Sequence, residues 1–503
     1  MVIILNTKGK KESVLMKKFI IPLVLTTVIV VLLFSFIDMT NSTNIAEEKS
    51  IVYATTIIPN SLDKVTGLSK EEENIICATS KGLVEMGSDG EIIPSLASGI
   101  VEKEKGIEYE FTLKDDIFWS NGKPITAEDI RSYFKELIKV EDDKNIEALL
   151  DVYGASDFKN GKGTFEKGVA ITTKDNVLNI RLNNKNENFL IELTKPQYRI
   201  RECIQLWSDM TKSYNEISYS GEYYIKSFQD EEVQLEKNTK IQSKAVNSIK
   251  IIKDASVELS MASYEVGERD ILLNPPQSQL EKLEEEKKLY SYPSDNGFYV
   301  SIGPGENKLS LADRSEIYKI IYNATETFGE ENSKAVVAAE GSYFRADKED
   351  ISKLQTRKVS LNKEVLWERP NTITLVAVDS EESRDYCKFL QNWFKDKENI
   401  NLKYSLIQEA DVDYNGLKNK YDMILINCSQ DVNNREELYK EMGGLLSVEE
   451  SDYKDFSKLE ENLFYSYRIV PVMFINKNIA ISDKLSNISV DGNGNINFDS
   501  IRK

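Results

Sequence analysis

The stretch Trp119-Ser-Asn-Gly-Lys-Pro-Ile-Thr-Ala-Glu-Asp129 constrains the fold more than any other part of the chain. Before it, Tyr109, Phe111 and Leu113 alternate with Glu110, Thr112 and Lys114, the period of a strand with one face buried. Asn121-Gly122 marks a tight turn, because glycine reaches positive φ without a Cβ penalty. Pro124 fixes its own φ and keeps its predecessor extended. Thr126 stands as a helix N-cap with Asp129 three residues on, and Ile125 and Ile130 occupy the two positions of a hydrophobic staple. The physics predicts strand, tight turn and capped helix in that order.

The same residues carry a resemblance. Tyr-x-Phe-x-Leu followed by Trp-Ser-Asn-Gly-x-Pro-Ile-Thr-Ala-Glu-Asp-Ile resembles the signature of extracellular solute-binding protein family 5, the substrate-binding proteins of peptide ABC importers. That family usually has Asp-Gly where this chain has Asn121-Gly122. Gly82-Leu83, Asp89-Gly90 and Pro94-Ser-Leu-Ala97 match in the family's order, giving one resembling block from about residue 75 to 134. Further on, Ser220-Gly221-Glu222-Tyr223 is similar to a glycine–proline–tyrosine step, with Glu222 in the proline position. Ala262 to Asp270, Tyr421-Asp422 and Val470 to Ile475 continue the ordered series.

The fold that the resemblance implies is α/β and two-lobed, periplasmic-binding-protein-like (class II, cluster C), with an extra domain on lobe I. A length of 503 residues fits more than one core. The expected division is lobe I over 51–300, including the extra domain over about 100–215, lobe II over 301–480, and a return to lobe I over 481–503. Ile373–Val378, a helix over Arg384–Phe394 and Asn401–Leu406 read as a βαβ unit, so lobe II should contain parallel pairing. Lys70 to Met86 reads as helix, and Asp313 to Thr325 as an amphipathic helix.

Residues 1–18 read as a cytoplasmic segment, 19–37 as a membrane anchor or signal, and 38–50 as a polar tether. Phe19–Ile37 is apolar except for Pro22, Thr26, Thr27 and Ser35, and as a helix would span about 28 Å. Lys8, Lys10, Lys11, Lys17 and Lys18 precede it, so the short amino end stays inside and the rest is exported. No small-x-small cleavage site follows and no lipobox cysteine is near, which favours an uncleaved anchor. Gram-positive relatives usually carry a lipobox cysteine just after the apolar run, whereas the first cysteine here is Cys77; the expected location is the outer face of a Gram-positive membrane.

Composition excludes several function classes. The formal charge of −19 argues against a nucleic-acid partner. The chain has no histidine, which removes serine–histidine and cysteine–histidine nucleophiles and histidine metal sites. Cys77, Cys203, Cys387 and Cys428 are scattered without a CxxC pair. No catalytic residue, metal site or cofactor is assigned, and the chain is not expected to be an enzyme. Trp119, Trp207, Trp367 and Trp393 are read as packing residues.

A two-lobed binder closes a cleft by hinge motion, and a buried peptide needs opposite charge at its ends. In peptide-binding relatives an aspartate shortly after the Tyr-Asp strand of lobe II pairs with the peptide amino group. The resemblance makes Asp431 the candidate here, with Arg435 as carboxylate partner. Tyr53 and Thr55, at the end of the first strand, could face the cleft from lobe I. The expectation is a monomeric extracytoplasmic protein that captures oligopeptides or similar small solutes for an ABC permease. The alternative is a degenerate, membrane-anchored sensor or interaction module without transport, an idea supported by Glu222, the missing lipobox and the short 328–370 segment.

Overall fold

The computed structural model describes residues 50–65, 67–241, 243–303, 308–345, 366–429, 435–442 and 456–503. The apolar run 19–37 and its tether through residue 49 lie outside them. No described helix is long and apolar enough to cross a membrane.

In chain order the strands are β1 (Ser50–Thr55), β2 (Val84–Met86), β3 (Ile92–Pro94), β4 (Ala97–Lys103), β5 (Glu108–Leu113), β6 (Ile171–Lys174), β7 (Val177–Arg181), β8 (Tyr223–Gln229) and β9 (Glu232–Lys237). They continue as β10 (Ser248–Lys253), β11 (Ile271–Leu273), β12 (Leu289–Ile302), β13 (Val336–Ala338), β14 (Thr372–Val378), β15 (Asn401–Ile407), β16 (Met423–Ser429) and β17 (Ile469–Ile481). One large mixed sheet runs β15-β14-β16-β12-β17-β11-β1-β10-β9-β8, with β13 pairing β17.

The strand–turn–helix stretch folds as its residues predict. In β5, Tyr109, Phe111 and Leu113 are buried and their neighbours are half-buried. Gly122 sits at φ 87°, and its N–H donates to Trp119 O at 2.8 Å. The helix Ala127–Val140 begins in a complete capping box: Asp129 N donates to Thr126 Oγ1 at 3.2 Å, and Thr126 N to Asp129 Oδ2 at 2.7 Å. Ile125 and Ile130 are both buried in the core over the four-stranded sheet β4-β5-β7-β6. That sheet and helix form a separate core, seated on the rest of lobe I. Ser120 N donates to Tyr219 O, and Asn121 Nδ2 to Ser218 Oγ, so the turn is bolted to the residues leading into β8.

The reading of Lys70–Met86 as one helix is corrected. A capping box at Ser69 and Glu72 starts the helix Lys70–Thr79, but Ser80 is extended and Val84–Met86 pairs with β3. Gly82 marks the break: a Cβ there would lie 2.5 Å from the Val84 carbonyl oxygen. The amphipathic helix of lobe II is longer than Asp313–Thr325, spanning Leu311–Glu331 from a third capping box at Ser310 and Asp313.

Lobe I packs helices on both faces of its part of the large sheet. Ile51, Tyr53, Ile249, Ile251 and Ile271 meet the helix Lys70–Thr79 and the C-terminal Val490, Ile496, Phe498 and Ile501 on one face. Ala54, Leu272 and Ala480 meet Met261, Tyr264 and Leu283 on the other. Lobe II repeats the plan: β14, the helix Glu381–Glu398 and β15 make the expected βαβ unit, and β14 pairs β15 in parallel from Thr372↔Asn401 to Val378↔Ile407. Its sheet separates a core around Ile317, Leu390 and Val472 from another around Tyr299, Ile426 and Tyr439.

Two strands join the lobes. The first residues of β12 pair β17 within lobe I (Leu289↔Ala480 to Pro293↔Asn476), and the later ones pair it within lobe II (Gly297↔Phe474 to Ser301↔Ile469). The register shifts between Pro293 and Gly297. A bulge bends and twists a strand locally, and here it falls at the passage between the lobes.

Candidate functional site: the interlobe crevice

The strand directions define the site. β1, β10 and β11 are mutually parallel, and β11 ends at Leu273 opposite Ile479, close to the crossover. In lobe II, β14 and β16 are parallel, and β16 ends at Ser429 opposite Asn296, beside the β12 irregularity. The carboxyl ends of parallel strands from both lobes therefore converge on one crevice beside the hinge. Loops after such strand ends are where open α/β sheets bind ligands, because the chain diverges there to either face.

Lobe I presents Thr55, Asp254 and Asn274 at these ends. Asp254 is buried and doubly held by Arg269, whose Nη2 donates to Oδ1 at 2.8 Å and Nε to Oδ2 at 3.1 Å, with Ser260 Oγ donating to Oδ2 at 2.8 Å. Burial opposes its charge, but these donors outweigh it and hold the carboxyl below its usual range. Asn274, at φ 45°, donates through its N–H to Asn478 O of β17.

Lobe II presents Asp379, which pairs with Arg384 Nε at 2.7 Å, and Ser380, the N-cap of the helix Glu381–Glu398. Burial raises the Glu381 carboxyl, and Glu382, Asp385 and, from lobe I, Glu258 add to the effect; Arg384 opposes it. Glu258 of lobe I thus adds to the acidic surroundings of Glu381 in lobe II. A cavity of about 160 Å³ opens here, lined by Asn274, Gln277, Glu381, Glu382 and the Ile475–Asn478 segment of β17 among others.

The residues singled out in the sequence fare differently. Asp431, two positions beyond β16, lies outside the described residues. Arg435 opens the helix Arg435–Met442; its Nη1 donates to Glu460 Oε1 at 3.1 Å, and its guanidinium lies 4.7 Å from the Phe344 ring centroid. Glu460 also accepts from the Tyr439 hydroxyl at 2.5 Å. Thr55 sits at the crevice end of β1 but is buried, and its hydroxyl donates to Ile57 O at 2.8 Å while accepting from Ile57 N at 3.1 Å.

Tyr53 is corrected from a cleft residue to a core residue. It is fully buried, packs edge-on to Phe498 at 5.7 Å, and its hydroxyl accepts from Asn74 Nδ2 at 3.2 Å. A strand covered on both faces buries either set of alternating residues, so the period of β1 did not reveal its direction. The sequence reading missed Asp254, Asn274, Asp379 and the hinge asparagines. The Asp254–Arg269 pair had no signal, since fifteen positions separate the partners, with a helix between them.

Two lobes joined by paired crossover strands, with strand ends meeting at a crevice, define a hinged solute-binding protein. The model of "Bacterial extracellular solute-binding proteins, family 5 Middle" matches residues 91–444, more than half of the chain. The chain belongs to this family, which is made of extracytoplasmic solute-binding proteins rather than enzymes. It is similar to the oligopeptide-binding protein OppA of Bacillus subtilis (strain 168), 32% identical over 121 residues, which cover 24% of this chain and only 22% of that protein. The dipeptide-binding protein DppE of the same organism is 22% identical over 378 residues, covering 69% of this chain and 68% of that one. The solved Escherichia coli murein tripeptide binding protein MppA shares the fold at a TM-score of 0.61 and 18% identity, covering 90% of this chain and 98% of its own.

Proposed function

We propose that this chain captures oligopeptides outside the cell, in the interlobe crevice, and delivers them to an ABC permease. The observation that carries this reading is the convergence of β1 and β16 ends on a crevice crossed by two strands. A peptide needs hydrogen bonds for its backbone along its whole length, and strand ends with their following loops supply them from both lobes. On this reading Asp431 meets the peptide amino group and Arg435 its carboxylate, while Thr55 shapes the lobe I wall through its bonds to Ile57. The relatives' names support peptides as the ligand class. The protein acts as a monomer held at the outer face of the membrane by residues 19–37.

Calorimetric titration of the purified chain with mixed peptide pools tests the reading, with native mass spectrometry of the untreated protein as a second measurement. Tight binding of peptides, weakened at least tenfold by Asp431→Asn, is the expected result. A protein that carries no peptide and binds none from the pools would instead be the sensor or interaction module.

A further inference from the structure

Beside the hinge, the C-terminal end of the long lobe II helix, Leu311–Glu331, reaches back to lobe I. Gln277 Nε2 of lobe I donates to Asn332 Oδ1 at 2.6 Å, and Asn332 is held from its own side by Nδ2 donating to Phe328 O at 2.9 Å. Two residues on, Lys334 Nζ lies 2.9 Å from Glu284 Oε1 on the lobe I helix Leu280–Glu285. The backbone between these contacts is tied to the crossover strand. Asn476 Nδ2 and Asn478 Nδ2 both donate to Lys334 O, at 3.2 and 3.1 Å, and Asn476 N donates to Ala335 O at 2.8 Å. Ser291 Oγ of β12 donates to Asn478 Oδ1 at 2.5 Å, so the second crossover strand joins the same network.

We infer that Gln277–Asn332, seconded by Glu284–Lys334, is a clasp that sets the angle between the lobes at the edge of the crevice. Rotation about the β12 and β17 crossover moves the asparagine ties least, because Asn476 and Asn478 sit on β17 at the crossover itself. The same rotation changes the distance between Gln277 and Asn332, which sit on separate lobes. The two clasp contacts differ in weight. The Glu284–Lys334 pair is about half exposed on both sides, and water and salt weaken such a pair. Gln277–Asn332 is neutral, half-buried and short, so it carries most of the effect. A protein whose binding-competent arrangement is only fractionally populated binds with an affinity reduced by that fraction. Loosening the clasp therefore changes ligand affinity as well as shape, and this second consequence rests on the peptide-capture reading.

The test follows interlobe distance in the ligand-free full chain. Dyes on Thr172→Cys and Asp396→Cys, exposed residues on opposite lobes, in a Cys203→Ser background, report the distance by single-molecule energy transfer. Gln277→Glu keeps the volume of the side chain but sets two acceptors against each other, and Asn332→Ala removes the partner. Each is expected to shift the ratio of interlobe states about fivefold, the double variant no further than either single one, and Lys334→Ala by about twofold at most. An unchanged distance distribution in folded Gln277→Glu protein, or fully additive effects of the two substitutions, would overturn the clasp. Because this readout needs no ligand, it stands apart from the fate of peptide capture. For a peptide that binds, the same variants should alter Kd by the factor read from the distance distribution, and an unaltered Kd beside a shifted distribution would refute the coupling.

Discussion

Glu222 puts a carboxylate where the matching step of the family has proline. It is 6% exposed, and its Oε2 has no hydrogen-bond partner. Burial first, and then Asp499, raise its pKa; Lys81, Ser243 and Lys237 only partly offset them. A carboxyl whose folded pKa lies above its unfolded value of about 4.3 is easier to ionise in the unfolded chain. Its contribution to stability is therefore fullest in acid and is lost as pH climbs through the raised range. Glu222→Gln should stabilise the protein by about 1 kcal/mol at pH 7.5 and by almost nothing at pH 4, as read from urea denaturation at the two pH values. Its neighbour Gly221 is fixed by close approach instead. A Cβ there would lie 2.3 Å from the Thr79 carbonyl carbon and 2.4 Å from Ser80 N, both backbone atoms. Gly221→Ala should cost about 3 kcal/mol in the same assay. The thiols divide by burial. Cys203 is exposed, whereas burial pushes the Cys77 and Cys387 thiols up to about 12. A maleimide should label Cys203 within minutes in native protein and reach Cys77 and Cys387 only after denaturant is added.

Among the elements, the helix Ala127–Val140 shows what local chemistry can specify. Its N-cap, acidic N3 residue and staple are all set within six residues, and the folded helix uses each of them. Thr126→Ala should lower stability by about 1 kcal/mol, since Asp129 N loses its acceptor; thermal unfolding measures the loss. The same locality made β5 and the βαβ unit of lobe II readable, because a period of two or of 3.6 is visible without knowing the neighbours. β12 was not readable. Its middle, Pro293-Ser-Asp-Asn-Gly297, has the residues that usually end a strand, yet pairing with β17 carries the strand through them with a register shift. The crevice shared this fate. Its position follows from which strands lie parallel and where they end, and both are set by distant partners, about 200 residues away for β1 and about 50 for β14 with β16. The sequence reading reached the Thr55 end of β1 but misjudged Tyr53 beside it, because a doubly covered sheet has no solvent face to orient the alternation. Buried Arg201 was equally hidden. Its guanidinium lies 5.6 Å from the ring centroids of both Tyr133 and Trp207, one from each core of lobe I, and it donates to Leu62 O and the Tyr133 hydroxyl. Arg201→Met should loosen the extra domain, costing about 3 kcal/mol, because Leu62 O and the Tyr133 hydroxyl would lose a charged donor inside the protein.

For the whole molecule, two crossover strands make lobe closure the natural response to a ligand. A bound peptide should contract the particle measured by small-angle X-ray scattering, whereas a chain that binds without closing would show an unchanged profile. The crossover also fixes how the polypeptide is divided. Both cores of lobe II draw their residues from between Phe298 and Ile475. Lobe I does not keep to one such stretch: β17 lies between β12 and β11, and Val490, Ile496, Phe498 and Ile501 fill its core. Lys503 donates through Nζ to the carbonyl of Ser50, where β1 begins. A ribosome makes the chain from one end, and domains generally fold as units while it does so. The core residues of lobe II have all emerged once residue 475 is made, but the lobe begun first must wait for Val490 to Ile501. The amino-terminal lobe is therefore completed after the one that follows it, and a chain stopped before residue 490 would carry the core of the second lobe beside an open first one.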